Sequence, residues 1–304
     1  MEKRLGELIK EFRIINNLSQ NDLAKGICTQ ALISKIEKGD TIPSVDIFMK
    51  ITKRLNVTLD YFIERLNFSN YDYVHEFYYQ VRKLLRERNY EELNTLIEIE
   101  KRNPNRKNVF HEQFIKWQEG ICLYYLKNDV IQSQKILKEA LYLINSNEGN
   151  KERNIEIINS IGIIYFEDQQ YDLSISYLEE ALRLLKNSIY IVDKTIHSKI
   201  YYNTAKCLTR LNQFTESNIY CEIGIKHCLK IDSNYLLGEL YYHRGYNFAL
   251  MCMYQDALIN FQKALSLFEI QSQFSFLDTT LKQIEKVNLQ IEDTSGFYIS
   301  NPSG

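Results

Sequence analysis

The sequence predicts an all-α protein, a short cluster of helices followed by an α-solenoid. Three observations predict it. Only 3 prolines and 11 glycines occur in 304 residues, while Leu, Ile, Lys, Glu and Tyr abound. That balance suits helices and leaves little material for turns between many strands. Apolar residues recur at three- and four-residue spacing along most of the chain. From about residue 77 onward the sequence also repeats itself at intervals of 40 to 43 residues.

Charge and cysteine usage narrow the function. The net charge is −2, with 11 Lys and Arg against 9 Asp and Glu in residues 1–66, so the front is slightly basic and the rest acidic. Such a small excess excludes a polybasic nucleic-acid coat but permits DNA binding if the cations share one face. Cys28, Cys122, Cys207, Cys221, Cys228 and Cys252 form no C-x-x-C pair and no zinc-finger spacing, so no metal and no cofactor is expected. Cys221 and Cys228 lie seven apart on one helix face, so a redox role is conceivable, but core packing is the favoured reading. The start, "MEKRLGELIKEFRI", lacks a signal peptide's apolar core, and no apolar run is long enough to cross a bilayer.

Residues 1–66 read as five short helices. Leu5, Leu8, Ile9 and Phe12 mark the first. "NNLSQNDLAKGI" supplies a loop, Ser19 as an N-cap, and a second helix with Leu23 and Ala24 inside. After a break at Ile27 and Cys28, Thr29 caps the third helix. There Ile33, Ile36 and part of Leu32 face inward, while Gln30, Ala31, Ser34, Lys35 and Lys38 face outward. "GDTIPS" ends it, with Gly39 suited to a left-handed C-terminal turn. Ser44 caps a fourth helix bearing Val45, Ile47, Ile51 and Leu55, and "NVTLDYFIERL" forms the fifth.

The stretches "LSQNDLA", "ISKIEKG" and "PSVDIFMKITKRLNVTLDYF" resemble the helix-turn-helix of the Cro/C1 repressor class over about 60 residues. The usual turn glycine between the second and third helices is missing, and the turn is one residue shorter than the general pattern. The resemblance implies a double-stranded DNA partner, and the outward face of the third helix fits it. A helix about 10–12 Å across enters the major groove and presents its N-terminal side chains to base edges. Gln30 suits adenine, Ser34 either strand's acceptors, Lys35 guanine or phosphate, and Ala31 a thymine methyl; Thr29 starts the helix. Gln20 and Lys38 are placed to touch phosphates, which sets register. The blander alternative is a solvated face.

The linker at 67–76, within "ERLNFSNYDYVHEF", lacks Gly and Pro and reads as a stiff helix. Beyond it Val81, Ile121, Gly162, Ala205 and Gly245 are equivalent, at spacings of 40, 41, 43 and 40. Ala140, Ala181, Gly224 and Ala264 mark a second small position. This region, 77–292, resembles five lengthened tetratricopeptide repeats with a closing helix at about 274–292, and Trp117 stands where such repeats often carry Trp. One repeat cannot bury its apolar face alone, so the units stack into a superhelix with a concave surface able to grip an extended peptide. Most of Tyr165, Tyr171, Tyr201, Tyr202, Tyr241, Tyr242 and Tyr254 occupy repeat-packing positions. The tail, 293–304, has no periodic pattern and is expected to be disordered.

A helix-turn-helix reader joined to such repeats resembles the peptide-pheromone regulators of Gram-positive bacteria, the Rap/Rgg/NprR/PlcR/PrgX group. The likeness runs through "ICTQALISKIEKGDTIPSVDI", "FIKWQ", "YYNTAK" and "GELYYHRG". It implies quorum sensing by a cytoplasmic homodimer that stays off the membrane and binds a short signalling peptide after re-import. Peptide binding then re-aims paired readers on a palindromic promoter site, with activation as the expected outcome. The group's groove asparagines, which bond peptide backbone through an amide that both donates and accepts, match Asn159 and Asn203. Basic residues in the first repeat's turn match Arg86 and Arg88, suited to a peptide carboxylate. Glu239 replaces a groove-facing polar residue of the group, which points to a different ligand sequence; Tyr242 and His243 are further candidates. Interhelical polar contacts for the asparagines and a solvated turn for the arginines are the bland alternatives.

Two rivals remain. An enzyme is disfavoured, because no H-E-x-x-H, Gly-rich phosphate loop or G-x-S-x-G occurs and His75, His111, His197, His227 and His243 are scattered. The second keeps DNA binding and makes the repeats a docking platform for a partner protein, since peptide and protein grooves are built alike.

Overall fold

The computed structural model describes residues 2–67, 71–103, 108–144 and 151–299, and among them it is helical without a strand. Five short helices lead: α1 (Glu2–Ile15), α2 (Gln20–Ala24), α3 (Gln30–Lys38), α4 (Val45–Arg54) and α5 (Leu59–Asn67). Next come α6 (Tyr71–Glu87) and α7 (Tyr90–Lys101). Four helical hairpins follow: α8 (Val109–Lys127) with α9 (Val130–Tyr142), α10 (Lys151–Glu167) with α11 (Tyr171–Lys186), α12 (Thr195–Arg210) with α13 (Phe214–Lys230), and α14 (Leu237–Leu250) with α15 (Tyr254–Ile270). Helix α16 (Phe274–Ile299) closes the chain.

By contact the chain forms two compact units, one ending at Leu96 and the other starting at Ile97 and continuing from Val109. The division falls inside the first expected repeat. Helix α6 stays with the five leading helices because Arg65 pairs with Asp72 at 2.9 Å and the Tyr61 ring meets the edge of Tyr71 at 5.3 Å. Part of the expected linker helix, 68–70, lies outside the described residues; from Tyr71 onward it is helical and runs directly into α6.

The first unit is held by Ile9, Leu23, Ile33, Ile36, Ile51, Leu55 and Phe62, all essentially fully buried. Local chemistry sets its helix ends. Ser19 and Asp22 form a capping box, Thr29 Oγ1 accepts from the Leu32 N–H at 3.3 Å, and Ser44 Oγ from that of Ile47 at 3.4 Å. Gly39 ends α3 at φ 79°. The turn between α2 and α3 does hold a glycine: Gly26, at φ 73°, supplies the left-handed residue in this shortened turn. The turn glycine is thus present, displaced from its usual place. Helix α1 lies so close to α3 that a Cβ on Gly6 would fall 2.2 Å from the Ile36 carbonyl oxygen.

In three hairpins of the second unit, α8 with α9, α10 with α11 and α14 with α15, a glycine on the first helix admits a large side chain from the second. A Cβ on Gly120 would come within 2.7 Å of Leu137, and one on Gly245 within 2.9 Å of Phe261. A hydroxyl locks three of the unit's hairpins: Ser133 donates to the Gly120 carbonyl at 2.7 Å, Ser174 to Gly162 at 2.8 Å and Ser217 to Ala205 at 2.8 Å. The first helices of successive hairpins also touch one another, α8 to α10, α10 to α12, α12 to α14 and α14 to α16. The second helices pack mainly on the first helices beside them. Elements that crowd together lie on the inside of a curve, so the first helices line the concave side of this unit.

The seven tyrosines assigned to repeat packing are all half-buried, as interhelical rings should be. Cys221 and Cys228 are fully buried and unpaired, and burial pushes the Cys221 thiol up to about 12, which makes it inert. One expectation needs correction. The closing helix does not stop near 292 but runs to Ile299. Once a helix is nucleated, each further residue adds a hydrogen bond at little cost, so extension needs no apolar pattern. Residues 300–304 of the expected tail lie outside the described residues.

Candidate functional site

Helix α3 presents a polar face. Thr29, Gln30, Ala31, Lys35 and Lys38 are exposed and Ser34 is half-buried, while Ile33 and Ile36 anchor the opposite side in the core. No ion pair engages Lys35 or Lys38 among the described residues, so both ammonium groups face solvent. The Thr29 hydroxyl oxygen is occupied as the helix cap.

A relay anchored on a buried carboxylate holds the glutamine at the tip of α3. Glu37, only 7% exposed, accepts from Arg13 Nε at 2.6 Å and Nη2 at 3.0 Å. It also accepts from Gln20 Nε2 at 2.9 Å, and Gln20 Oε1 in turn accepts from Gln30 Nε2 at 2.7 Å. The hydrogen bond that Arg13 donates to Glu37 is the main cause of its raised pKa, so the guanidinium stays charged at all working pH. Gln20, expected to touch phosphate, therefore sits between a fixed carboxylate and the Gln30 side chain. Sequence reasoning missed Arg13 and Glu37. Their one visible signal was a charged residue at an otherwise inward position of "ISKIEKG".

The groove candidates of the second unit lie on its first helices. Asn159 on α10 is 6% exposed, Asn203 on α12 is half-buried, and Asn203 Nδ2 donates to Asn159 Oδ1 at 3.0 Å. Asn203 and Lys206 line a small recess with Ile163, Phe166 and Leu178, and the Lys206 ammonium stands 4.6 Å from the Phe166 ring centroid. On α14, Glu239 is buried and burial raises its pKa. Tyr242 is half-buried with its ring 5.5 Å from Phe261, and burial raises its phenol.

His243 is already engaged. Its Nε2 lies 2.8 Å from Thr209 Oγ1, beside Ser217 and Asn247, which bond to each other at 2.7 Å. Burial, aided by the cations Lys206 and Arg210, pushes the imidazole down to about 4, so it is neutral at pH 7. Arg86 and Arg88 are exposed at the end of α6 in the first unit, with Arg88 in the left-handed region at φ 55°.

Among the described residues no group of three or more His, Cys, Asp or Glu is arranged to hold a metal ion, and no helix is long and apolar enough to cross a membrane.

These features define a class: a helix-turn-helix unit carrying a polar recognition helix, joined to stacked helical hairpins with amides on the concave side. The chain belongs to the RNPP family of peptide-responsive regulators, since the RNPP family C-terminal domain matches residues 78–287 and the Helix-turn-helix model matches residues 9–62. It is similar to Bacillus thuringiensis PlcR in complex with the peptide PapR7 and DNA, at 27% identity and TM-score 0.82, covering 91% of this chain and 99% of that one. The apo form of the same protein matches at 26% identity and TM-score 0.67, covering 93% and 99%. ComR from S. thermophilus, in complex with DNA and its signalling peptide ComS, shares the fold at 15% identity and TM-score 0.60, covering 93% and 99%. A comparison with curated proteins returned no match.

Proposed function

We propose that this protein is a quorum-sensing transcription regulator of the cytoplasm, a homodimer whose repeat groove binds a short re-imported peptide and thereby repositions two helix-turn-helix units on a palindromic promoter site. One observation carries the reading: both halves of the chain match, in one piece, a PlcR structure that holds a peptide and DNA together. Gln30, Ala31, Ser34 and Lys35 serve as base-reading residues, with Gln20, Thr29 and Lys38 at the backbone. Asn159 and Asn203 bond the peptide main chain, and Arg86 and Arg88 take its carboxylate. Glu239, Tyr242 and His243 complete the wall. Two half-sites multiply the modest contact of one reader, which is why a dimer suits it. Ligand binding activates transcription, and the groove binds without catalysing.

The test is isothermal titration of the full chain against synthetic heptapeptides taken from small exported open reading frames beside its gene. Binding of one such peptide supports the reading. Silence from all of them, together with a stable protein that co-purifies, makes the repeats a docking platform instead.

A further inference from the structure

One register position on the concave helices carries charge. It lies six residues before Gly162, Ala205 and Gly245, and holds Glu156, Lys199 and Glu239 in turn. The first two satisfy each other: Lys199 Nζ donates to Glu156 Oε1 at 3.0 Å, with both side chains mostly covered. Lys199 also stands 4.0 Å from Asp193 and 6.0 Å from the Tyr235 ring. The row's single ammonium is thus committed to other acceptors.

Glu239 is left over. It is only 9% exposed, yet its Oε2 finds no hydrogen-bond partner among the described residues. The other nearby cations are directed elsewhere. Arg244, on the same helix, reaches Glu222 at 3.8 Å, and Lys206 lies over the Phe166 and Tyr202 rings at 4.6 and 5.6 Å. A carboxylate can only accept, and its own backbone amide serves this one in part; a buried oxygen left without a donor is costly, and a donor from a bound ligand would complete it. Position says which ligand. Asn203 follows Lys199 by one helical turn and Asn159 follows Glu156 by about one, so the charged row runs beside the amide row on the same wall.

We infer that Glu239 seats a positively charged group of the bound peptide, a Lys or Arg side chain or its free N-terminal ammonium. A neutral donor would satisfy the oxygen but leave the charge; a cation does both and makes a charge-assisted bond. The inference rests on the peptide-binding reading above and adds the chemistry of the ligand.

Positional-scanning heptapeptide pools test it, with each position fixed in turn as Lys, norleucine or Asp and each pool made with a free and an acetylated N-terminus. The full-chain protein captures from each pool, and the retained peptides are quantified by mass spectrometry. The wild-type protein should prefer Lys over norleucine at one position, or a free over an acetylated terminus, by about tenfold or more. Glu239→Gln should lose that preference while still retaining peptide, and Glu239→Lys should turn it toward Asp. A melting curve for Glu239→Gln at or above that of the wild type shows that the variant is folded. Equal retention of Lys, norleucine and both termini by the wild-type protein overturns this inference and leaves peptide binding standing. Retention of no pool by any variant overturns both.

Discussion

Asn203 Nδ2 donates to Asn159 Oδ1 across 3.0 Å, so the two amides on neighbouring concave helices are aligned before any ligand arrives. Each keeps a further group beyond this bond, Nδ2 on Asn159 and Oδ1 on Asn203, a donor and an acceptor that an extended backbone can use. Asn203→Ala removes one and leaves the Asn159 oxygen unpaired. Peptide affinity should fall by about 1–3 kcal/mol, measured by titration calorimetry, while nonspecific DNA affinity stays unchanged.

The outward face of α3 makes a prediction of the opposite kind. Gln30→Ala combined with Lys35→Ala should abolish sequence-selective retention in gel shifts, with the Gln30 contact alone contributing roughly 1–3 kcal/mol of base discrimination. Loss of one phosphate-reaching cation should also flatten the salt dependence by about one unit of slope. Peptide affinity should be untouched.

Glu37 reaches the outward face of α3 only through Gln20, which bonds Gln30. Glu37→Ala leaves the Arg13 guanidinium with only the Leu18 carbonyl in a partly covered site and should cost about 1–3 kcal/mol of stability in thermal or urea melts. Arg13→Met with Glu37→Leu removes both charges and should recover most of that loss. It leaves Gln20 unanchored, so selectivity in gel shifts should remain impaired although the fold is restored. Recovery of both properties together would show that the relay serves stability alone.

His243 makes stability depend on pH. Its folded pKa of about 4 lies below the ordinary 6.5, so between those values the unfolded chain binds more protons than the folded one. Its neutral form therefore contributes stability that is fully present above pH 6.5 and is lost as pH falls toward 4. Melting temperature should drop across that window, and His243→Gln should flatten the drop.

Much of this was legible in the residues, and the physics says which parts. Ser19, Thr29, Ser44 and Gly39 cap helices through bonds to neighbours three or four residues away, so short sequence windows reveal them. The repeats announce themselves because a small residue recurs where a large one packs, as Gly120 meets Leu137, Gly162 meets Leu178 and Gly245 meets Phe261. Glu37 was opaque because its partners Arg13 and Gln20 lie 24 and 17 residues away, and only folding brings them together. The Thr209 bond that occupies His243 spans 34 residues and hides for the same reason. Gly26 escaped notice because a shortened turn moved the left-handed residue out of its habitual place. Helix α16 outran its pattern because elongation past a packed segment needs no apolar stripe.

The central claim is that a peptide on the repeats alters how the first unit holds DNA. A gel-shift titration of the full chain on its own promoter fragment, with and without a peptide shown by calorimetry to bind, measures that coupling. A change in operator affinity of about fivefold or more, abolished by Asn203→Ala at the same peptide concentration, is the predicted result. Identical operator affinity with the groove saturated and with it empty would contradict the account.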